Sequence, residues 1–179
     1  MNRLIHTDST QSITRTHTHT QDEMPFIKAF SDNIRCRRCE GRYVGGFDPV
    51  KKEIVICENH NLSKSEIRTT VKHECVHAKD DSNGIDWKDP KQRARSEVRA
   101  ARFSGECELY AELRRWPISR WYEMYKSRGD QGDRSCVRRR ATASVRMALD
   151  DCGEPGKGQD AKSIVDAEFE DAYNDQVVS

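Results

Sequence analysis

Leu62-Ser63-Lys64-Ser65-Glu66-Ile67 fixes the start of a helix more firmly than any other stretch of this chain. Ser63 and Glu66 have the spacing of a capping box, and Leu62 with Ile67 that of the hydrophobic staple which sets how the chain enters a helix. Continued at 3.6 residues per turn, Ile67, Val71, Cys75 and Ala78 form one apolar stripe, while His73, Glu74 and His77 lie around another side. The five residues His73-Glu74-Cys75-Val76-His77 spell HExxH. Two histidines one turn apart project from the same helix face and can grip one metal ion, and the glutamate beside them can accept a proton from water. Cys75 points away from both imidazoles and is expected to be a small core residue rather than a ligand.

A chance HExxH in a chain of this length and composition has odds on the order of one per cent, so the motif needs its context. A catalytic zinc usually has three protein ligands, leaving the fourth position to water. Asp89-Pro90 marks a second helix start, an N-cap residue followed by proline at the first helical position, and the helical pattern runs on to Trp116-Pro117. Ala94, Val98, Ala101 and Gly105 make a narrow stripe of small residues along it, with Glu97 at the edge. A carboxylate facing a packed interior is costly unless it meets positive charge, which a metal ion supplies. Glu97 also follows His77 by twenty residues, the interval of thermolysin-like zinc proteases. Hence Zn2+ is the expected cofactor, with His73, His77 and Glu97 as ligands and Glu74 as catalytic base. The place four residues after Glu97, where that branch often has a carboxylate orienting a ligand histidine, is Ala101, which leaves Asp80 or Asp86 as candidates for that task. A third ligand six residues beyond His77 would be Asn83, a poor zinc donor. Tyr110, Tyr122 and His60 carry donors suited to a developing oxyanion.

The remaining chain reads as one domain, residues 25–175, between a Ser/Thr-rich tail (1–24) and a short end (176–179). Residues 1–24 hold eight Ser or Thr and almost nothing apolar after Ile5, so they are expected to be disordered. Arg3 and Arg15 give this leader a faint mitochondrial-targeting character, which Asp8, Asp22 and Glu23 oppose, and no secretory apolar core is present. No apolar run approaches the roughly 18 residues that span a bilayer. From Tyr43 to Glu58 two strand-like runs flank the turn Asp48-Pro49-Val50-Lys51-Lys52, predicting a β-hairpin whose edge can receive an extended peptide. The fold class is therefore α+β: a mainly helical, zincin-like domain with a small hairpin or sheet before the HExxH helix.

Charge is unevenly spread. Residues 90–146 carry fifteen Lys or Arg against seven acids, net +8, and residues 147–179 carry two against nine, net −7. Two readings of Arg134, Arg138, Arg139 and Arg140 compete: an anionic partner such as nucleic acid or lipid, or a helix face paired to the acidic tail, and the second is the expectation. Trp116 and Trp121 among Arg114, Arg115 and Arg120 suit either a lipid headgroup layer or a core and rim. Cys36, Cys39, Cys57 and His60 have knuckle spacing for a second zinc, or supply disulfides in an oxidising compartment.

Several segments together resemble a known family: Val44-Gly45-Gly46-Phe47-Asp48, Ile54-Val55-Ile56-Cys57-Glu58-Asn59, the HExxH run, Asp86-Trp87, Ser96-Glu97-Val98-Arg99-Ala100-Ala101, Ser104-Gly105-Glu106-Cys107, Cys136-Val137-Arg138-Arg139-Arg140-Ala141 and Val165-Asp166-Ala167-Glu168-Phe169-Glu170. In order and over about residues 36–175, they are similar to the mitochondrial inner-membrane metalloproteases that serve ATP synthase assembly. The resemblance implies a zinc endopeptidase of the intermembrane space, peripheral to the inner membrane. Its implied substrate is the precursor of ATP synthase subunit a, with an additional chaperone role; a non-proteolytic assembly chaperone with a structural zinc is the alternative. Cys75-Val76 and Lys79 depart from the aliphatic pair and the aromatic usual in the family, but lie off the metal face. The family's oxidised cysteines tip the knuckle toward disulfides, with Cys75 as the unpaired thiol.

Overall fold

The computed structural model describes residues 27–41, 43–108, 132–151 and 160–175. A single helical turn, α1 (Ile27–Phe30), leads into strand β1 (Ile34–Arg37), followed by β2 (Gly45–Asp48) and β3 (Glu53–Cys57). Four longer helices follow: α2 (Lys64–Ser82), α3 (Pro90–Phe103), α4 (Gly132–Asp151) and α5 (Ala161–Asn174). The α+β expectation holds, as does the hairpin: β2 and β3 pair antiparallel, with Phe47 opposite Ile54. Asp48 closes the turn by accepting hydrogen bonds at Oδ1 from the N–H groups of Val50 and Lys51, both at 3.0 Å. What the sequence did not predict is β1, which lies parallel to β3 and makes β3 the centre of a three-stranded sheet. Its Ile34-Arg35-Cys36-Arg37 alternation is strand-like but only four residues long, too short for periodicity to separate it from loop.

The helix starts follow local chemistry. Ser63 accepts from Glu66 N–H while Glu66 accepts from Ser63 N–H, so both halves of the capping box are made. Asp89 accepts from Lys91 N–H at 3.0 Å and Pro90 opens α3. The second helix is shorter than the sequence pattern implied. It ends at Phe103 rather than near Trp116, because Ser104 closes the ladder and Gly105 adopts a left-handed φ of 81° that turns the chain away. Gly105 therefore leaves the small-residue stripe that Ala94, Val98 and Ala101 continue.

Two apolar clusters flank the α2–α3 contact. One joins Ile54 and Ile56 of the sheet to Cys75 and Ala78 of α2. The other packs Ala94, Val98 and Ala101 of α3 against Val137, Ala141 and Val145 of α4 and Ile164, Val165 and Phe169 of α5. Cys75 is fully buried, as the stripe required. The basic middle does meet the acidic end: Arg95 bonds Glu168 at 2.5 Å, Arg99 pairs with Asp175 at 3.2 Å, and Arg138 bonds Asp166 at 2.6 Å. Arg134 bonds Glu170 and also lies over the Tyr173 ring at 4.4 Å. No described helix is long and apolar enough to cross a membrane. The expected tails (1–24 and 176–179), Trp116, Trp121 and the arginines between 114 and 120 lie outside the described residues.

Gly45 sets how closely the hairpin lies on α2. A Cβ there would stand 2.6 Å from Thr70 Cγ2 and 2.8 Å from the Val55 carbonyl oxygen, whereas at Gly46 nothing lies within 4 Å. Overpacking of this kind costs about 1–3 kcal/mol. Gly45→Ala is accordingly expected to lower unfolding stability by about that amount, and Gly46→Ala by markedly less, in urea titrations followed by circular dichroism.

Candidate metal centre

The face of α2 opposite its apolar stripe turns toward α3. His73 and His77 stack edge to face with ring centroids 4.8 Å apart. From α3, Glu97 reaches between them, Oε2 at 3.4 Å from His73 Nε2 and Oε1 at 3.7 Å from His77 Nε2. One donor atom from each of these residues lies within 4.8 Å of the others, the group among the described residues that can hold a metal ion. The expected cluster of His73, His77 and Glu97 is thus assembled, and Glu74 is buried beside it.

The donor set fits a cation on observations internal to the site. Glu97 Oε2 is buried without a hydrogen-bond partner, a costly position for a carboxylate unless positive charge completes it. Each imidazole is engaged on its other nitrogen: His77 Nδ1 is 2.8 Å from Ser96 Oγ, and His73 Nδ1 is 3.4 Å from Glu106 Oε1. Both Nε2 atoms are thereby aimed at Glu97. Burial pushes the Glu97 carboxyl up, but the two imidazoles outweigh it and hold its pKa below the usual range. Burial likewise disfavours the His73 imidazolium, yet the Glu106 and Glu97 carboxylates on either side of the ring raise its pKa well above normal. The imidazoles and carboxylates thus each favour the charged form of the other. For Glu74, burial dominates and raises the pKa, while a hydrogen bond from the Phe47 N–H works the other way.

That bond also locates the sheet relative to the site. Cys57 N–H donates to the Val44 carbonyl at 3.0 Å, and alternation along an antiparallel ladder then turns the Gly45 and Phe47 backbone groups away from β3. Among the described residues β2 is an edge strand, and its outer edge borders Glu74. Trp87 completes the wall, edge-on to the His77 ring at 5.6 Å and tilted against Phe47 at 6.3 Å. Its indole N–H donates to Asp81 Oδ1 at 3.1 Å, and Lys52 Nζ bonds the other oxygen of that carboxylate at 2.7 Å.

Residues 2–177 match the Peptidase M76 family. The chain belongs to that family. It is 34% identical over 146 residues to the mitochondrial inner membrane protease ATP23 of Yarrowia lipolytica, covering 81% of this chain and 53% of that protein. The protein of the same name in Schizosaccharomyces pombe is also 34% identical, over 80% of this chain and 71% of its own length. The Xenopus laevis homologue gives 34% over 80% and 56%. The chain thus spans about half the length of two of these three relatives. No solved structure matches it.

In this M76 chain the groups behind the histidines differ from those the sequence pointed to. Asp80 faces Arg99 at 2.9 Å, and Asp86 caps the Lys88 N–H at 2.9 Å, so neither orients a ligand. Ser96 and Glu106 stand behind the rings instead. Ser96 precedes Glu97 in sequence and inherits its place against α2; Glu106 follows the turn at Gly105, and no periodicity could relate it to His73. Of the candidate oxyanion donors, Tyr110 and Tyr122 lie outside the described residues, and His60 occupies a 3-10 turn after β3 with Nε2 buried and unpartnered.

The Cys36/Cys39/Cys57/His60 knuckle is not assembled as a metal site. Cys39 is bonded to Cys57, and Cys107 to Cys136. A disulfide sulfur is no longer a thiolate donor, so two of the four supposed ligands are spent. Cys75 is unbonded, as expected, and so is Cys36; burial pushes the Cys75 thiol up to about 12, which suits a core residue and not a ligand. Alkylation of the native protein without reductant is expected to modify Cys36 and spare Cys75. Denaturation without reductant exposes Cys75 as well, and peptide mapping should find Cys39, Cys57, Cys107 and Cys136 alkylated only after reduction.

Proposed function

We propose that this chain is a zinc metalloendopeptidase of the mitochondrial intermembrane space, peripheral to the inner membrane, that matures the ATP synthase subunit a precursor and assists assembly of that complex. The observation that carries the hydrolytic reading is the convergence of His73, His77 and Glu97 donors within 4.8 Å, with Glu74 next to His73 on α2. Two imidazole nitrogens and one carboxylate form the ligand set of many catalytic zinc sites. The relatives, mitochondrial inner membrane proteases, support a polypeptide substrate and the inner membrane as the place of action. The subunit a precursor and the intermembrane space follow from the resemblance of the motifs.

When bound, zinc supplies Lewis acidity, polarising the scissile carbonyl and easing ionisation of the attacking water. Glu74 takes the water's proton on its carboxylate and delivers it to the leaving amine. Burial raises its pKa above the ordinary carboxylate value, the direction that suits a group that both takes up and releases a proton. The outer edge of β2 receives the substrate as an added strand: the Gly45 backbone groups and the Phe47 carbonyl, turned away from β3, hold an extended peptide in register. Ser96 holds the His77 ring, and Trp87 shields it from water. In the alternative reading, a non-proteolytic assembly chaperone, the same residues form a structural site, which normally has four protein ligands; three convergent donors among the described residues favour hydrolysis.

The purified protein is expected to contain about one zinc equivalent, measured by atomic emission, and His73→Ala, His77→Ala and Glu97→Ala are each expected to lose it. Glu74→Gln should keep the zinc and lose peptide cleavage by roughly 10²- to 10⁴-fold; cleavage at the wild-type rate would remove Glu74 from the mechanism. Complementation of a null strain by Glu74→Gln would then separate chaperoning from proteolysis.

A further inference from the structure

The His73 ring lies between two carboxylates, one at each nitrogen. Glu97 is 3.4 Å from Nε2, and Glu106 is 3.4 Å from Nδ1. Only the first belongs to the three-donor group; Glu106 approaches the ring from the side away from it. We infer that Glu106, gripped by Arg140, is a positioning residue that orients the His73 imidazole and strengthens it as a metal donor. This inference rests on the metal-site reading above.

A histidine that binds a metal through Nε2 must carry its proton on Nδ1, and a carboxylate there fixes the tautomer, holds the ring plane and adds electron density to the donor nitrogen. Glu106 is built for that task. Its side chain is 4% exposed, and the Arg140 guanidinium donates from Nε at 2.7 Å and from a second nitrogen to the same oxygen, Oε2. Oε1 faces His73 Nδ1. Arg140 answers the Glu106 charge, whereas Glu97 depends on the cation.

The placement of Glu106 is set from outside the α2–α3 pair. Gly105 turns the chain after α3, and Ser104 Oγ accepts from Glu106 N–H at 3.3 Å. The next residue, Cys107, is bonded to Cys136 of α4, and Arg140 is one turn further along that helix. A disulfide and a guanidinium from one helix therefore hold adjacent residues of one turn. Position 101, one turn beyond Glu97 on α3, is an alanine buried in the helical core, so the orienting carboxylate reaches His73 from this turn rather than from α3. Alone, a buried Arg–Glu pair is weak evidence of anything beyond packing; the His73 imidazole nitrogen 3.4 Å from the second carboxylate oxygen lifts it above packing.

The test is zinc affinity at 25 °C, by competition with a chromophoric chelator, on wild type, Glu106→Gln, Arg140→Gln and the double variant. Cobalt(II) absorption spectra report ligand geometry, and thermal melting of the metal-free proteins reports folding. Glu106→Gln preserves volume and is expected to bind zinc roughly 10- to 100-fold more weakly, with an altered cobalt spectrum. Arg140→Gln should weaken binding in the wild-type background and add little in the Glu106→Gln background, since it acts through Glu106. Unchanged zinc affinity and cobalt spectrum in a folded Glu106→Gln protein, whatever its melting temperature, would overturn the inference and leave the zinc site standing. Should Glu106→Gln not fold, the same readings on Arg140→Gln decide in the same way. Wild type that takes up no zinc, or His73→Ala that keeps it, would instead overturn the site reading and this inference with it.

Discussion

Everything in the site depends on one carboxylate being driven between two imidazoles by the packing of α3 on α2. Glu97 Oε2 is buried and lacks a hydrogen-bond partner, an arrangement that costs several kcal/mol for an isolated charge. It is sustained because α3 is anchored on its other side. Ala94, Val98 and Ala101 lie in a core with α4 and α5, and these small side chains let three helices approach closely. The helix is held by burial; the carboxylate is carried along to where a cation is needed.

The opposite charges of the middle and the end of the chain serve that anchoring. Arg95, Arg99, Arg134 and Arg138 reach α5 or the residue just beyond it, and Arg138 also covers the buried Phe169 ring at 3.8 Å. Exposed pairs of this kind contribute little each, but Arg134 and Arg138 also lie over the Phe169 ring and so help fix how α5 lies on α4. Arg140 departs from its neighbours. It turns inward to Glu106, and the same basic run therefore contributes both to helix packing and to the ground behind a ligand histidine.

On the other side of α2, the sheet supplies shape. Gly45 removes the side chain that would hold β2 away from Thr70, so the strand settles on the helix, Phe47 N–H meets Glu74, and Trp87 closes over His77. The Cys39–Cys57 disulfide ties the loop after β1 to the end of β3. The spacing of Cys36, Cys39, Cys57 and His60 admitted a second metal; pairing in the fold chose a covalent link for two of them and left Cys36 as a strand residue.

The sequence by itself determined the local things: the start of α2 at Ser63, the start of α3 at Asp89, the hairpin turn at Asp48, the burial of Cys75, and the sharing of one helix face by His73 and His77. Each follows from contacts within a few residues, where capping, turn geometry and helical periodicity act regardless of the rest of the chain. Glu97 was legible because a carboxylate on a small-residue stripe demands a positive partner. Tertiary structure alone decided the stop of α3 at Phe103, the parallel β1–β3 pairing, the two disulfides, and the approach of Glu106 and Arg140 to His73. Those outcomes join residues up to tens of positions apart, and no periodic pattern encodes which distant groups will meet when separate apolar faces are buried together.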